Sequence, residues 1–526
     1  MKKIIFFLLF YIVYNFTVKN ILVIIFPGGK NKNSLLINLF DYSIKKNDKY
    51  DLYYDIIIHE SEKSIFYNKK TKNINLITYG SDFDIEKIDI DDIEKKPIFK
   101  FYQFKLRRFY QDFLDSNIFL KIKNNKYDMI ISDRPNFIFY LLQNELNISQ
   151  KMYLSMRPLP QLFPNNIELN PNYIPNLGSN NLNIMNYVER CSNFFSSFND
   201  KFINFLSNYE IKYLFNDYGY KNITSNFDVL DSIILIQYPF GITYPFTISS
   251  NVKILNSITL SLYNNSDEKI ILDKTFIKFI KVYSNIIVFS KDIFYFIEKN
   301  IIQLVINEYF NDEESSIGFL FINNNNGILK NNIYTININE EKYYNYLNEI
   351  LKLKQISILI TPANINEISN SLFYNNPIIS FGNGIFQNNI NGYINREMFG
   401  IVIKEEEKNN YKIIIKTINK LIDNNNDDEF EKGNNIYIKN AIRISNILKN
   451  GKNPFEEYLK WINYGFEIGF ENLQLNIIQK NNEIFFFILI IILITFIISI
   501  LSLKYILNKF MFDENEIENK TKIKKD

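Results

Sequence analysis

Short apolar runs separated by polar stretches recur along the chain, and their lengths predict alternating strands and helices. Residues 21–26 form an apolar run closed by Pro27, Gly28 and Gly29, and residues 35–42 carry apolar side chains at helical spacing, so the chain opens as strand, loop and helix. Residues 51–59 supply a second strand, and 127–133 a buried one that ends on the carboxylate of Asp133. A second round is expected from about Val252. There 286–290 is a fully apolar strand, 317–323 and 355–361 repeat the theme, a helix follows over 366–373, and 378–380 and 401–403 add strands. This alternation predicts an α/β chain of two doubly wound, Rossmann-like halves, each a parallel sheet covered on both faces, with a ligand crevice between them at the strand C-termini. Residues 441–450 read as a helix stopped by Gly451, and Pro454 opens another.

The ends of the chain carry a different pattern. Lys2 and Lys3 precede an apolar run over 4–14 and a polar stretch over 15–20, the charge and length of a secretory signal. Residues 484–503 are unbroken apolar side chains plus Thr and Ser, long enough as a helix to cross about 30 Å of hydrocarbon. Lys504 and Lys509 follow, and basic residues flanking a span stay cytosolic. The expected divisions are a signal over 1–19, halves over 20–250 and 251–445, returning helices and a membrane-proximal segment over 446–483, a transmembrane helix over 484–503 and a cytosolic basic tail over 504–526. The final five residues, Lys522 to Asp526, have the form of a dilysine retrieval address, against the plainer reading of a basic tail in a lysine-rich protein; we expect an endoplasmic reticulum membrane protein with lumenal halves.

Composition adjusts this picture modestly. A net charge of +2 with mixed signs argues against a nucleic-acid partner. Cys191 is the only cysteine, so no internal disulfide exists and stability must come from core burial. Asn147, Asn222 and Asn264 each open an Asn-x-Ser/Thr acceptor, though a chain this rich in Asn produces such triplets by chance. Asn runs such as 323–326 and 424–426 read as surface loops.

Within residues 361–400, Thr361, Asn366, Pro377, Gln387 and Gly400 stand at a recognisable spacing. The segment resembles the sugar-nucleotide signature of membrane-bound UDP-glycosyltransferases, and the ordered set of loop, strands, hinge and C-terminal span is similar to that family throughout. Several polar positions differ from the family pattern. Pro362 stands for a His, Ala363 and Asn364 for two glycines, Asn370 for a Glu and Phe386 for an Asp. The resemblance implies a glycosyltransferase-B architecture, with a lipophilic small-molecule acceptor bound by the first half and a UDP-sugar co-substrate by the second, and with no cofactor or metal.

The chemistry so implied is transfer of a hexosyl group, glucuronosyl or glucosyl, which needs a base for the acceptor proton and donors for the departing diphosphate. Asp133 matches the family's orienting Asp, while the catalytic His position is Asn31, an amide that cannot act as a base near neutral pH. Asp133 has a second reading, as a strand-end residue capping the following turn. His59, the only His, lies in the wrong strand and reads as an ordinary sheet-edge residue. The donor-binding candidates are Ser290, Tyr344, Thr361, Asn366, Asn370 and Gln387, with Tyr344 standing where the family stacks a Trp on uracil. Asp292 brings a negative charge towards the diphosphate and Lys291 offsets it. Two functions follow, an active UDP-glycosyltransferase and a non-catalytic binding or partner protein on the same fold.

Overall fold

The computed structural model describes residues 17–27, 30–63, 72–80, 107–156, 167–168, 185–220, 232–239, 241–242, 247–260, 273–310, 316–322, 332–338, 343–382, 385–422, 435–470, 473, 494–495 and 498–502. The chain divides into two compact units, residues 1–474 and residues 475–526. The strands are β1 (Thr17–Ile24), β2 (Tyr50–His59), β3 (Ile74–Tyr79), β4 (Met129–Ser132), β5 (Gln150–Ser155), β6 (Ile167–Glu168), β7 (Ile233–Gln237), β8 (Thr247–Ile248), β9 (Val252–Leu255), β10 (Asn285–Phe289), β11 (Ile317–Ile322), β12 (Ile333–Ile336), β13 (Ile356–Thr361), β14 (Ile378–Ser380) and β15 (Gly400–Val402). The helices are α1 (Lys30–Lys46), α2 (Ile118–Ile122), α3 (Phe137–Glu145), α4 (Tyr187–Asp217), α5 (Lys274–Val282), α6 (Lys299–Phe310), α7 (Tyr343–Leu351), α8 (Ile365–Phe373), α9 (Ile385–Glu397), α10 (Tyr411–Ile422), α11 (Ile436–Lys449) and α12 (Pro454–Glu467).

Two sheets organise the first unit. One has seven strands in the order β3-β2-β1-β4-β5-β7-β9, the other six in the order β12-β11-β10-β13-β14-β15, and every pairing within them is parallel. Strands β4, β7 and β14 are buried at every residue, which is why they read as continuous Ile-rich runs and do not alternate. Val252–Leu255, assigned above to the second half, is strand β9 at the edge of the first sheet, paired in parallel with β7. Its apolar run is the same from either side of a domain boundary, so pairing, which the sequence does not display, decides its place.

In each sheet the chain starts mid-sheet, works outward to one edge, and then crosses to the other side of its first strand. The order therefore reverses between β1 and β4, and between β10 and β13. Loops diverge at such points and leave room at the strand C-termini.

The Asn bias does structural work at helix starts. Asn136, Asn364, Asn435 and Asn453 each sit in extended backbone and accept a hydrogen bond from a first-turn amide of α3, α8, α11 and α12. Pro454 follows its cap at the first turn of α12, where a missing N–H costs nothing. Asn147 is exposed with φ 51°, in the left-handed region that Asn tolerates; Asn222 and Asn264 lie outside the described residues.

Helix α12 belongs to the first sheet although it follows the whole second one. Phe455, Tyr458, Trp461 and Ile462 join the core formed by β1, β2 and α1, and the Tyr458 hydroxyl lies 3.3 Å from that of Tyr54. Tyr54 also meets the Ser43 hydroxyl at 2.7 Å, and burial pushes its phenol up to about 12. Among the described residues no helix is long and apolar enough to cross a membrane; the span expected over 484–503 falls outside them except for 494–495 and 498–502, and the signal expected over 1–19 falls outside them up to residue 16.

Truncating Phe455 to Ala removes a fully buried ring from this returning helix. The expected cost is about 3–5 kcal/mol, read as a lower urea midpoint with an unchanged slope.

Candidate functional site

The first switch point is built on Asp133. It directly follows β4, is almost fully buried, and its Oδ1 accepts the Phe26 backbone N–H at 3.0 Å from the loop that leaves β1. The Arg134 Nε lies 3.6 Å from Asp133 Oδ2, and the Arg134 guanidinium stacks 4.5 Å over the Phe26 ring. Asp133 thus ties together the ends of the two strands that flank the crevice. Asn31 falls in the first turn of α1, with its side chain outside the described set.

His59 ends β2, on the far side of β1 from Asp133. Its Nδ1 accepts the Ser61 N–H at 3.3 Å and meets the Ser61 hydroxyl at 2.9 Å, while Nε2 lies 3.5 Å from Asp112. Burial lowers its pKa, and Asp112 opposes that shift without reversing it. Both ring nitrogens are engaged and the ring is neutral, so His59 caps a 3-10 turn over Glu60–Glu62.

The second switch point gathers most of the donor-binding candidates. Ser290 follows β10, fully buried, with its N–H given to Ile360 at 2.9 Å and its hydroxyl without a partner among the described residues. Thr361 ends the neighbouring β13 and donates its hydroxyl to Glu367 Oε2 at 2.5 Å. The Tyr343 hydroxyl donates to Glu367 Oε1 at 2.7 Å, and Lys291 Nζ lies 5.0 Å from the centre of the Tyr343 ring. Tyr344 is buried edge-on against Tyr343, ring centres 5.1 Å apart, with its hydroxyl 3.5 Å from the Asn364 amide.

Glu367 is the site residue that pattern reading missed. It is fully buried in the first turn of α8, and its carboxyl is raised to about 7. Burial is the main cause and the Asp292 charge adds to it, while the Thr361 and Tyr343 hydroxyls and Lys291 pull the other way. A charged residue in a run of apolar and amide positions, three places after an N-cap Asn, was the available signal.

Asn366 and Asn370 point from the same helix towards the first lobe. Asn366 accepts from the Gln237 side chain, at the end of β7, at 2.8 Å. Asn370 accepts from the Thr259 hydroxyl, in the connection between the sheets, also at 2.8 Å. The C-terminal edges of the two sheets therefore meet through buried amides, and Asp133 stays with the first sheet while the donor candidates cluster at the second. Gln387, in the first turn of α9, packs against Gly382, where an added Cβ would collide with the Pro362 carbonyl oxygen.

The turn from β13 to α8 keeps an unusual backbone. Ala363 has φ 63°, the left-handed conformation that a Cβ resists and glycine adopts freely.

Two facing parallel sheets, each with a switch point, joined by a connection near 256–273 and closed by a helix that returns to the first, define the glycosyltransferase-B type of fold. Solved structures of that type are similar to this chain. The glycotransferase of kitacinnamycin matches with a TM-score of 0.53 at 10% identity, over 85% of this chain and 99% of its own. A UDP-glucosyltransferase from Polygonum tinctorium capable of glucosylating indoxyl, in complex with 3,4-dichloroaniline, matches with a TM-score of 0.52 at 10% identity, over 85% of this chain and 99% of its own. The spinosyn rhamnosyltransferase SpnG complexed with thymidine diphosphate matches with a TM-score of 0.51 at 10% identity, over 84% of this chain and 100% of its own. The likeness is one of fold. No protein-family model matches the sequence, and no curated protein does either.

Two outcomes are expected from this geometry. Ala363→Gly relieves the left-handed Cβ and raises stability by about 0.5–1 kcal/mol in chemical denaturation, whereas an ordinary Ala→Gly change lowers it. Glu367 holds its proton in the native state up to about pH 7, well above the ordinary value of 4.5, so its contribution to stability is full below pH 4.5 and is lost as pH rises through 7. Glu367→Gln therefore flattens the fall in stability between pH 5 and 8 by on the order of 3 kcal/mol, measured as the difference between the two proteins' unfolding free energies.

Proposed function

We propose that this chain transfers a glycosyl group from a nucleoside diphosphate sugar to a small apolar acceptor. The observation that carries the reading is the meeting of two parallel sheets, each with a switch point, through the buried bonds of Asn366 and Asn370, with the ionisable Asp133 on one edge and hydroxyl and amide groups on the other. A two-substrate displacement needs this arrangement, because each substrate is held by its own lobe and the reacting atoms meet between them. The solved neighbours supply the substrate classes by analogy, since one of them binds thymidine diphosphate and another an aromatic amine.

The finer form of the proposal is a UDP-hexose donor, glucose or glucuronate, and a membrane-anchored protein of the endoplasmic reticulum held by residues 484–503. Ser290, Tyr344, Thr361, Asn366, Asn370 and Gln387 are the donor-side groups, and Asp133 the carboxylate nearest the acceptor. With Asn31 in place of a His, Asp133 suits an acceptor that arrives with little need for deprotonation, such as a neutral amine.

A second reading has its own support. The Thr361 hydroxyl and the side-chain oxygens of Asn366 and Asn370 are each bonded to protein partners, which favours a non-catalytic member that keeps the fold for binding.

Incubating the full chain with UDP-glucose or UDP-glucuronate and a panel of phenols and anilines separates the two. The catalytic reading expects glycosylated product by mass spectrometry and, with phenol acceptors, which need a base, a rate at least about 100-fold lower in Asp133→Asn. Neither product nor donor hydrolysis with any pair leaves the binding reading standing.

A further inference from the structure

Resting on the donor reading, we propose that Glu367 is the charge selector of the second crevice: its buried carboxylate repels a nucleoside diphosphate when ionised and admits one when protonated. Three observations carry this. The residue sits in the first turn of α8, directly at the switch point between β10 and β13, where a doubly wound sheet receives a phosphate. Its carboxylate is held there by two hydroxyl donors, Thr361 from the end of β13 and Tyr343 from α7. On the adjoining strand end Ser290, whose N–H is bonded to the Ile360 carbonyl next to Thr361, has a fully buried hydroxyl with no partner among the described residues, a donor for a phosphate oxygen.

The groups around Glu367 set when it is charged. Asp292, in the loop after β10, raises its proton affinity as a like charge, and Lys291 in the same loop lowers it. Tyr343 and Tyr344 face it from α7, both held in the neutral phenol form by burial, and Thr361 adds no charge. The Glu367 carboxyl thus titrates near pH 7. A diphosphate brings negative charge into a site that already contains Asp292, and an ionised Glu367 beside the helix N-terminus adds a second carboxylate charge to repel it.

The test is calorimetric binding of UDP-glucose by the full chain from pH 5.5 to 8.5 at constant ionic strength. UDP-glucose is chosen because its diphosphate is a diester with no proton to exchange in that range. Wild-type affinity is expected to fall by about tenfold or more as pH rises through 7. Glu367→Gln keeps hydrogen-bonding capacity for Thr361 and Tyr343 and is expected to bind at pH 8.5 as tightly as wild type does at pH 5.5, with a flat profile. Asp292→Asn leaves the carboxylate in place and moves the midpoint to lower pH, a shift that a merely structural role for Glu367 would not produce. A flat wild-type profile, or a profile in Glu367→Gln that still falls with pH, overturns the assignment while the donor reading stands. Absence of UDP-glucose binding in all three proteins at every pH overturns the donor reading instead, and this inference with it.

Discussion

A parallel sheet buried on both faces cannot turn back on itself in a hairpin, and this constraint shapes both large sheets of the first unit, leaving only the short antiparallel pair β6 and β8 outside it among the described residues. Each strand must be reached by a crossover, so helices cover both faces and every strand points the same way. The seven-stranded and six-stranded sheets both obey it, and both place β1 or β10, their first strand, inside the sheet. Once the first strand is internal the winding must reverse beside it. The two polar clusters, around Asp133 and around Thr361, follow from that reversal, because it is the one place at each edge where loops part.

What joins the edges is polar, and burial gives it leverage. The bond from Gln237 to Asn366 and that from Thr259 to Asn370 are enclosed, so breaking either leaves an amide or hydroxyl away from water at a cost of roughly 1–3 kcal/mol. The apolar return of α12 onto the first sheet is a larger but less directional term. Apolar packing brings the lobes together and the buried amides fix which residues face which. That division explains why amides at Asn366 and Asn370 suit this chain, since they bond across the lobes without the desolvation a carboxylate there would suffer.

Much of the framework was legible because strands buried on both faces announce themselves as apolar runs. The runs that became β1, β4, β10, β13 and β14 are of this kind, and Pro454 marks the start of α12 by the simplest of backbone rules. The strand β5, with Gln150 and Lys151 at its start, has no such run, and β9 has one that fits either lobe. Site residues were legible by position more than by role. Asp133 and Thr361 lie at strand ends, where a run stops on a polar side chain, but nothing local says that Asp133 bonds to Phe26 or that Thr361 bonds to Glu367. Those partners are set by topology, which brings residues 107 apart in sequence to 3.0 Å.

Glu367 shows why side-chain chemistry and backbone shape have to be judged separately at this site. The turn before α8 has a left-handed residue at Ala363, and Gly382 approaches the Pro362 carbonyl too closely for a Cβ, so the backbone there is shaped by more than the side chains it carries. Yet Pro362 has no N–H to offer, and a carboxylate stands within the first helical turn. A turn of that shape with a buried acid beside it is not electrostatically fixed. Under the proposed donor reading, one proton on Glu367 decides whether an incoming diphosphate meets one buried carboxylate charge more or less beside Asp292. On the proposed donor reading, the backbone determines where a ligand sits, and the protonation of a single buried side chain determines which charge of ligand is accepted there.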